Sequence, residues 1–242
     1  MLLAIDIGNT RIKAAVFEKT SLLKHFAFDA ADAEKGFRSI LDSYPNISDV
    51  IQSSVTNGDV LSLIPEHIKI HEIDRSWKFP FVNDYETPHT LGLDRMVLTA
   101  GAVLQYPQVN RLIIDAGTCI TYDFVDSDAV YSGGAISPGI GLRYSSLHNY
   151  TARLPLLSRA APTDIIGSST ADSIHSGVVN GVAFEIDGFI SRYAENYANF
   201  IIILTGGDTV FLADRLKNTI FANSNFLLES LNHLFQYKIK ND

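Results

Sequence analysis

Two short stretches of this chain repeat one pattern: Ala4-Ile5-Asp6-Ile7-Gly8-Asn9-Thr10 and Ile113-Ile114-Asp115-Ala116-Gly117-Thr118. Each is an apolar run that closes on Asp, then a small or apolar residue, Gly and a hydroxyl. Each leads into a second strand-like run, Ile12 to Phe17 and Ile120 to Val125. This is the signature of a β-hairpin whose tight turn is supplied by glycine. Turn N–H groups and hydroxyls suit phosphate oxygens, and an adjacent Asp suits a cation that travels with phosphates. One copy fits any β-rich core. Two copies point to two related lobes holding a nucleotide between them. Neither G-x-x-x-x-G-K-[ST] nor G-x-G-x-x-G occurs, so neither a P-loop nor a Rossmann turn explains the pattern.

A length of 242 residues fits one large domain or two small lobes. With 46% apolar and 19% charged residues, the chain has the balance of an ordinary globular protein with a real core. A net charge of −8 argues against a general binder of nucleic acid or acidic membranes, but leaves a local phosphate site open. The single cysteine, Cys119, excludes an intrachain disulfide framework. It fits a reducing cytoplasm, and residue type predicts a small buried side chain. No basic region precedes the first apolar run, which Asp6 interrupts, so that run reads as a strand rather than a signal peptide. No apolar run approaches membrane-spanning length.

The pattern predicts an α/β fold with a mixed sheet in each half. Leu2 to Ile7, Ile12 to Phe17 and Leu22 to Phe28 are strands, followed by a helix over Asp32 to Leu41 and a buried strand over Val50 to Ser54. His67 to Ile73 alternates like a strand. Residues 74–92 are irregular but rich in aromatics, which predicts an ordered loop packed against something. A helix over Asp94 to Gln105 ends at Tyr106-Pro107. Tyr131 to Ile136 is a strand, with Pro138 at a first helical position. One long helix is expected from Thr170 to about Tyr197, with Ala171, Ile174, Val178, Val182 and Ile186 as its apolar stripe. Phe200 to Leu204 is a buried strand, and helices over Thr209 to Leu216 and Leu227 to Phe235 close the chain.

Several residues carry two readings. Asp6 and Asp115 fall at strand C-termini, where open α/β sheets place ligands, but both also suit local turns. Lys13 and Arg11 suit phosphate, or a solvated edge strand. Asp94 is most simply a helix N-cap and is equally placed to take or orient the proton of an attacking hydroxyl beside Arg95. Ser168-Ser169-Thr170 is a cap signature whose free N–H groups also suit a ligand. Gly177 and Gly181 allow close approach of another helix, from this chain or a second subunit. Thr205-Gly206-Gly207-Asp208 is a strand-to-helix turn, or a place where backbone meets a flat ring or phosphate. His67 and His71 lie about 13 Å apart on a strand, too far to share an ion.

These segments together resemble the type III pantothenate kinases of the actin-like ATPase and sugar-kinase superfamily. The motifs are Asp6 to Lys13; Tyr85-x-x-Pro88-x-x-Leu91-Gly92-x-Asp94-Arg95; Asp115-Ala116-Gly117-Thr118; Gly133 to Gly139, ending near Leu154-Pro155; and Thr170 to Gly177 with Thr205 to Asp208 after it. They occur in the family's order over nearly the whole chain. One departure is Ser168-Ser169, where many members have Gly or Arg and then Asn before the Thr.

The resemblance implies two ribonuclease-H-like lobes with mixed β-sheets flanked by helices, residues 1–108 and 109–242, the second bearing a dimerisation helix. It implies a cytoplasmic homodimer with no nucleic-acid or membrane partner. Its activity would be ATP-dependent phosphorylation of the primary hydroxyl of pantothenate to 4'-phosphopantothenate, the first step toward coenzyme A. Carried over by position, Asp6, Ile7, Gly8, Asn9, Thr10, Arg11, Ile12 and Lys13 hold the ATP phosphates, and Thr118 also contacts ATP. Asp94 is the base. Tyr85, Gly92, Leu93, Asp94 and Arg95 contact pantothenate, with Thr170 contributing to that pocket. Asp115 matches a monovalent-cation ligand for potassium or ammonium, and magnesium (Mg2+) accompanies the nucleotide. Competing readings are another small-molecule kinase or phosphatase of the superfamily, a transcriptional accessory factor, and an actin-like filament protein. The acidic charge, the retained Asp6, Asp94 and Asp115, and the short chain weigh against the last two.

Overall fold

The structure, a computed structural model, describes residues 1–8, 11–54 and 59–241. Asn9 and Thr10, both expected at the phosphates, lie outside the described residues. The chain folds as two units, residues 1–107 with 225–242, and residues 108–224.

The first unit begins with a meander, β1 (Leu2–Ile7), β2 (Arg11–Glu18) and β3 (Ser21–Asp29). Helix α1 (Ala33–Ser43) leads to β4 (Asp49–Ser54) and β5 (Lys69–Glu72). The sheet order is β3-β2-β1-β4-β5. β1 pairs antiparallel with β2 and parallel with β4. Strand alternation sends Leu3, Ile5 and Ile7 to one core with Phe37 and Ile40 of α1, and Leu2 and Ala4 to a second core on the other face. Lys13 therefore sits on an interior strand, which removes the edge-strand reading.

Residues 74–92 are irregular apart from the two-residue β6 (Val82–Asn83), and Trp77, Phe79 and Phe81 pack against that second core. Helix α2 (Leu93–Gln105) covers the same face, joined there by the C-terminal helix α7 (Phe226–Asn241). The two helices cross where a Cβ on Gly101 would lie 1.9 Å from Ser230 Oγ. The division at 108/109 drawn from the sequence puts residues 225–242 with the C-terminal lobe. In the structure they pack with the first unit, because Leu228, Leu231, Leu234 and Phe235 complete its core.

The second unit repeats the meander with β7 (Asn110–Ala116), β8 (Cys119–Val125) and β9 (Val130–Pro138). Helix α3 (Ile140–Asn149) follows, with Gly139 at its N-cap. Pro138 ends the strand instead of opening the helix. The expected long helix is broken into α4 (Thr170–His175), a π-turn over Ser176–Asn180, and α5 (Gly181–Asn196). Ile174, Val178, Val182 and Ile186 of the expected stripe are buried across the break, whereas Ala171, in the first turn of α4, is only partly buried. β10 (Phe200–Thr205), the short α6 (Thr209–Ala213) and β11 (Phe221–Ala222) close the unit. Its strands run β9-β8-β7-β10-β11, the order of the first sheet again, with β7 antiparallel to β8 and parallel to β10.

Cys119 is exposed, contrary to its residue type: it sits at the hairpin turn, and the adjacent Ile120 takes the core-facing place. His71 bonds Asp49 through Nε2 at 2.8 Å. Among the described residues no group of His, Cys, Asp or Glu is arranged to hold a metal by itself, and no helix is long and apolar enough to cross a membrane.

Candidate active site

In the first unit the hairpin closes through Gly8, whose N–H donates to the Arg11 carbonyl at 3.0 Å. Asp6 stands one residue before the end of β1, opposite Lys13. Burial pushes its carboxyl above the ordinary range; Lys13 pulls it back and the charge of Asp94 pushes it up further. Two motifs far apart in sequence are thus coupled in one electrostatic group. Ile7 and Ile12 belong to the core, so only their main-chain groups are available to a ligand. Arg11 is exposed and lies 3.3 Å from Asp29, a weak surface pair.

Asp94 is not the N-cap. Gly92 takes that position in extended conformation, and Asp94 lies in the first turn, with Leu93 before it. Its Oδ1 accepts the Arg95 backbone N–H at 2.9 Å, so the carboxylate still satisfies a free donor at the positive end of the helix. Arg95 is buried, with its guanidinium 5.9 Å from the Tyr85 ring centroid. Two residues not singled out by the sequence hold this segment. Asn83 accepts the Tyr85 N–H at 3.2 Å, an Asx turn whose i to i+2 spacing is a legible signal. Arg75 donates to the Leu91 carbonyl at 2.8 Å, for which the sequence carries no signal.

In the second unit Gly117 N–H donates to the Cys119 carbonyl at 2.9 Å, closing the matching hairpin. Asp115 again stands one residue before the strand end, and Thr121 faces it where the first hairpin has Lys13. Gly206, at φ +96°, presses against this end: a Cβ there would lie 2.4 Å from Asp115 Oδ1. Asp208 N–H donates to the Ala116 carbonyl at 2.9 Å, and its carboxylate pairs with Arg159. Thr118 is exposed at the tip, and its carbonyl accepts the Gly139 N–H at 3.0 Å. A Cβ on Gly139 would meet the Gly117 carbonyl at 2.1 Å. Motifs distant in sequence therefore brace the second hairpin.

Thr170 is exposed at the start of α4, where Ser169 caps the helix by accepting the Asp172 N–H at 3.1 Å. With Arg143, Leu147, Leu154 and Val178 it lines a cavity of about 700 Å³, in the size range of small-molecule pockets. Apart from its own helix backbone, a Cβ on Gly177 or Gly181 would meet nothing within 4 Å among the described residues, so no other described helix requires either glycine for close approach.

A family model described as type III pantothenate kinase matches residues 2–192. The Flavobacterium johnsoniae type III pantothenate kinase is 59% identical over the whole of both chains. The chain belongs to the type III pantothenate kinase family. Family membership makes it a kinase, and the repeated sheet order is the actin and sugar-kinase fold. Two solved structures share that fold. One is a protein assigned to the Baf family of transcriptional activators from Campylobacter jejuni, with TM-score 0.63 and 20% identity, covering 98% of this chain and 99% of its own. The other is the activator of 2-hydroxyisocaproyl-CoA dehydratase from Clostridium difficile with bound ADPNP, with TM-score 0.54 and 10% identity, covering 99% and 94%. At those identities the likeness is one of fold, and the type III pantothenate kinase match alone speaks to chemistry.

Proposed function

We propose that Asp94 is the acceptor-side carboxylate of a phosphoryl-transfer centre, and that Asp6 to Lys13 and Thr118 hold the ATP. The reaction follows from the family: ATP-dependent phosphorylation of pantothenate in coenzyme A biosynthesis. The observation that carries the assignment is the placement of Asp94 in the first turn of α2, where it accepts the Arg95 N–H, with its charge felt by Asp6, which stands opposite Lys13 on the first hairpin.

The primary hydroxyl of pantothenate is a poor nucleophile, and the γ-phosphoryl group carries dense negative charge. Catalysis of such a transfer is mostly positioning and charge stabilisation. As the hydroxyl oxygen bonds to the γ-phosphorus, the bond to the β,γ-bridging oxygen breaks, ADP leaves and Asp94 accepts the hydroxyl proton. Arg95 and Tyr85 orient the acceptor, and Lys13 screens the phosphates. Asp6, a carboxylate near the end of β1 opposite Lys13, would hold a magnesium ion that accompanies the nucleotide. Bound there, magnesium would screen the phosphate charge. Asp115 fits potassium or ammonium, which would screen charge at the second hairpin.

Thr170 and its cavity are the pantothenate pocket in this reading, completed by a second subunit in a cytoplasmic homodimer. The unencumbered Gly177 and Gly181 support that assembly. An ADP-release assay with pantothenate against a panel of other primary alcohols tests the function. Equal rates across the panel would sink it.

A further inference from the structure

We propose that Glu185 is a positioning residue that sets the Gly117-Thr118 turn through a charged network, and thereby tunes ATP affinity; the proposal rests on the reading that Thr118 contacts ATP. Glu185 lies on α5 and points at the end of β9. Its Oε1 accepts from Ser137 Oγ at 2.5 Å and from the Tyr122 hydroxyl at 2.9 Å, and its Oε2 accepts from Arg143 Nη2 at 2.5 Å. Arg143 donates onward through Nε to the Pro138 carbonyl at 2.8 Å. The next residue, Gly139, donates to the Thr118 carbonyl at 3.0 Å. One carboxylate therefore grips the segment Ser137-Pro138-Gly139 by a side chain and by a carbonyl, and that segment grips the turn. Glycine at 139 lets it close to contact distance with residue 117.

The network is charged although its surroundings are not. Tyr122 stacks on Phe189 at 4.0 Å between ring centroids and belongs to the apolar core of the unit. Burial pushes the Glu185 carboxyl up, yet the hydrogen bonds from Arg143, Ser137 and Tyr122 outweigh it and hold the carboxyl below its ordinary value. A half-buried ion pair is a poor way to add stability, because desolvation offsets most of its attraction, and apolar packing serves equally well. What it supplies is directional restraint on three neighbours at once. Here the restrained element carries the exposed Thr118.

Glu185→Gln keeps size and one acceptor while removing the charge; Ser137→Ala removes a single donor and keeps the core. Arg143 is unsuitable because it also lines the Thr170 cavity. Loss of the restraint on the Thr118 turn is expected to raise KM for ATP roughly tenfold in Glu185→Gln, equivalent to about 1.4 kcal/mol of binding. The unfolding midpoint should fall in Glu185→Gln, because Arg143 loses its ionic partner, and KM for ATP should rise more than KM for pantothenate; in Ser137→Ala, which keeps that ion pair, KM for pantothenate and the unfolding midpoint should move little. Ser137→Ala should shift KM for ATP in the same direction by less. Amide exchange over residues 114–120 should accelerate in ATP-free Glu185→Gln. A KM for ATP within twofold of wild type in both variants, or unchanged exchange in the ATP-free protein, overturns the inference. If Glu185→Gln does not fold, Ser137→Ala decides by the same criteria. Failure of the Thr118 assignment appears separately, as wild-type exchange over residues 114–120 that saturating ATP leaves untouched.

Discussion

A Cβ atom on Gly92 would lie 2.4 Å from Oδ1 of Asp94. The carboxylate at the head of α2 occupies the space any other side chain at position 92 would fill. The backbone of Gly92 (φ −60°, ψ 137°) is open to every residue, so the requirement for glycine there is spatial rather than conformational. Gly92→Ala should swing Asp94 away from the Arg95 N–H at a stability cost of about 1 kcal/mol, the usual scale for a disturbed helix start. Turnover should fall by roughly 10²-fold, as for a misplaced catalytic group. Steady-state kinetics beside thermal melts check this; a variant with wild-type kcat would mean that the position of Asp94 is not critical.

Asp94→Asn separates chemistry from helix support. The amide oxygen can still accept the Arg95 N–H, so the melting temperature should hardly change. Loss of a general base should lower kcat by about 10²–10⁴. Near-normal turnover would reduce Asp94 to a structural role at the helix head.

Asp6 titrates above its ordinary value of 3.8, so ionising it opposes folding. Below 3.8 both folded and unfolded states are protonated and no penalty exists; as pH rises through the raised folded value the penalty becomes complete. Asp6→Asn should therefore melt higher than wild type at neutral pH, with the advantage vanishing as pH falls toward 3.8, while ATP turnover collapses. A variant less stable than wild type at pH 7 contradicts this account.

The second hairpin leads to a salt dependence. With Asp115 as a monovalent-cation ligand, activity should be low in sodium or large organic cations and rise in potassium or ammonium. Rates measured at matched ionic strength decide it, since equal values in all four salts leave no room for such a site.

Gly181→Leu probes assembly. Among the described residues, nothing beyond the adjacent backbone of its own helix lies within 4 Å of a Cβ at this position, so a single subunit should fold normally with the larger side chain. In a dimer packed on this face, the variant should dissociate and lose pantothenate affinity together, while ATP affinity is kept. Light scattering with pantothenate titration reads both; a fully active wild-type monomer would remove the shared pocket.

The sequence by itself determined the two hairpins, and with them the positions of Asp6, Gly8, Asp115 and Gly117. Alternating apolar residues, a closing Asp and a turn glycine are set by neighbours within a few positions, so the signal is local. The mixed α/β character of each half, the cap at the start of α4 and the stripe through Val182 were legible for the same reason. Only the tertiary structure decided the rest. α7 joins the first unit because its apolar face fits the core beside α2, where Gly101 meets Ser230 across 129 residues of chain. Cys119 faces outward because Ile120 claims the core. Asp94 gives up the cap to Gly92 because its side chain folds back over the first turn. Gly139 is a glycine because the Gly117 carbonyl lies against it, and Glu185 draws in donors from β8, β9 and α3. Each of these depends on which distant surfaces meet, and residue spacing along the chain does not encode the volume left at a contact.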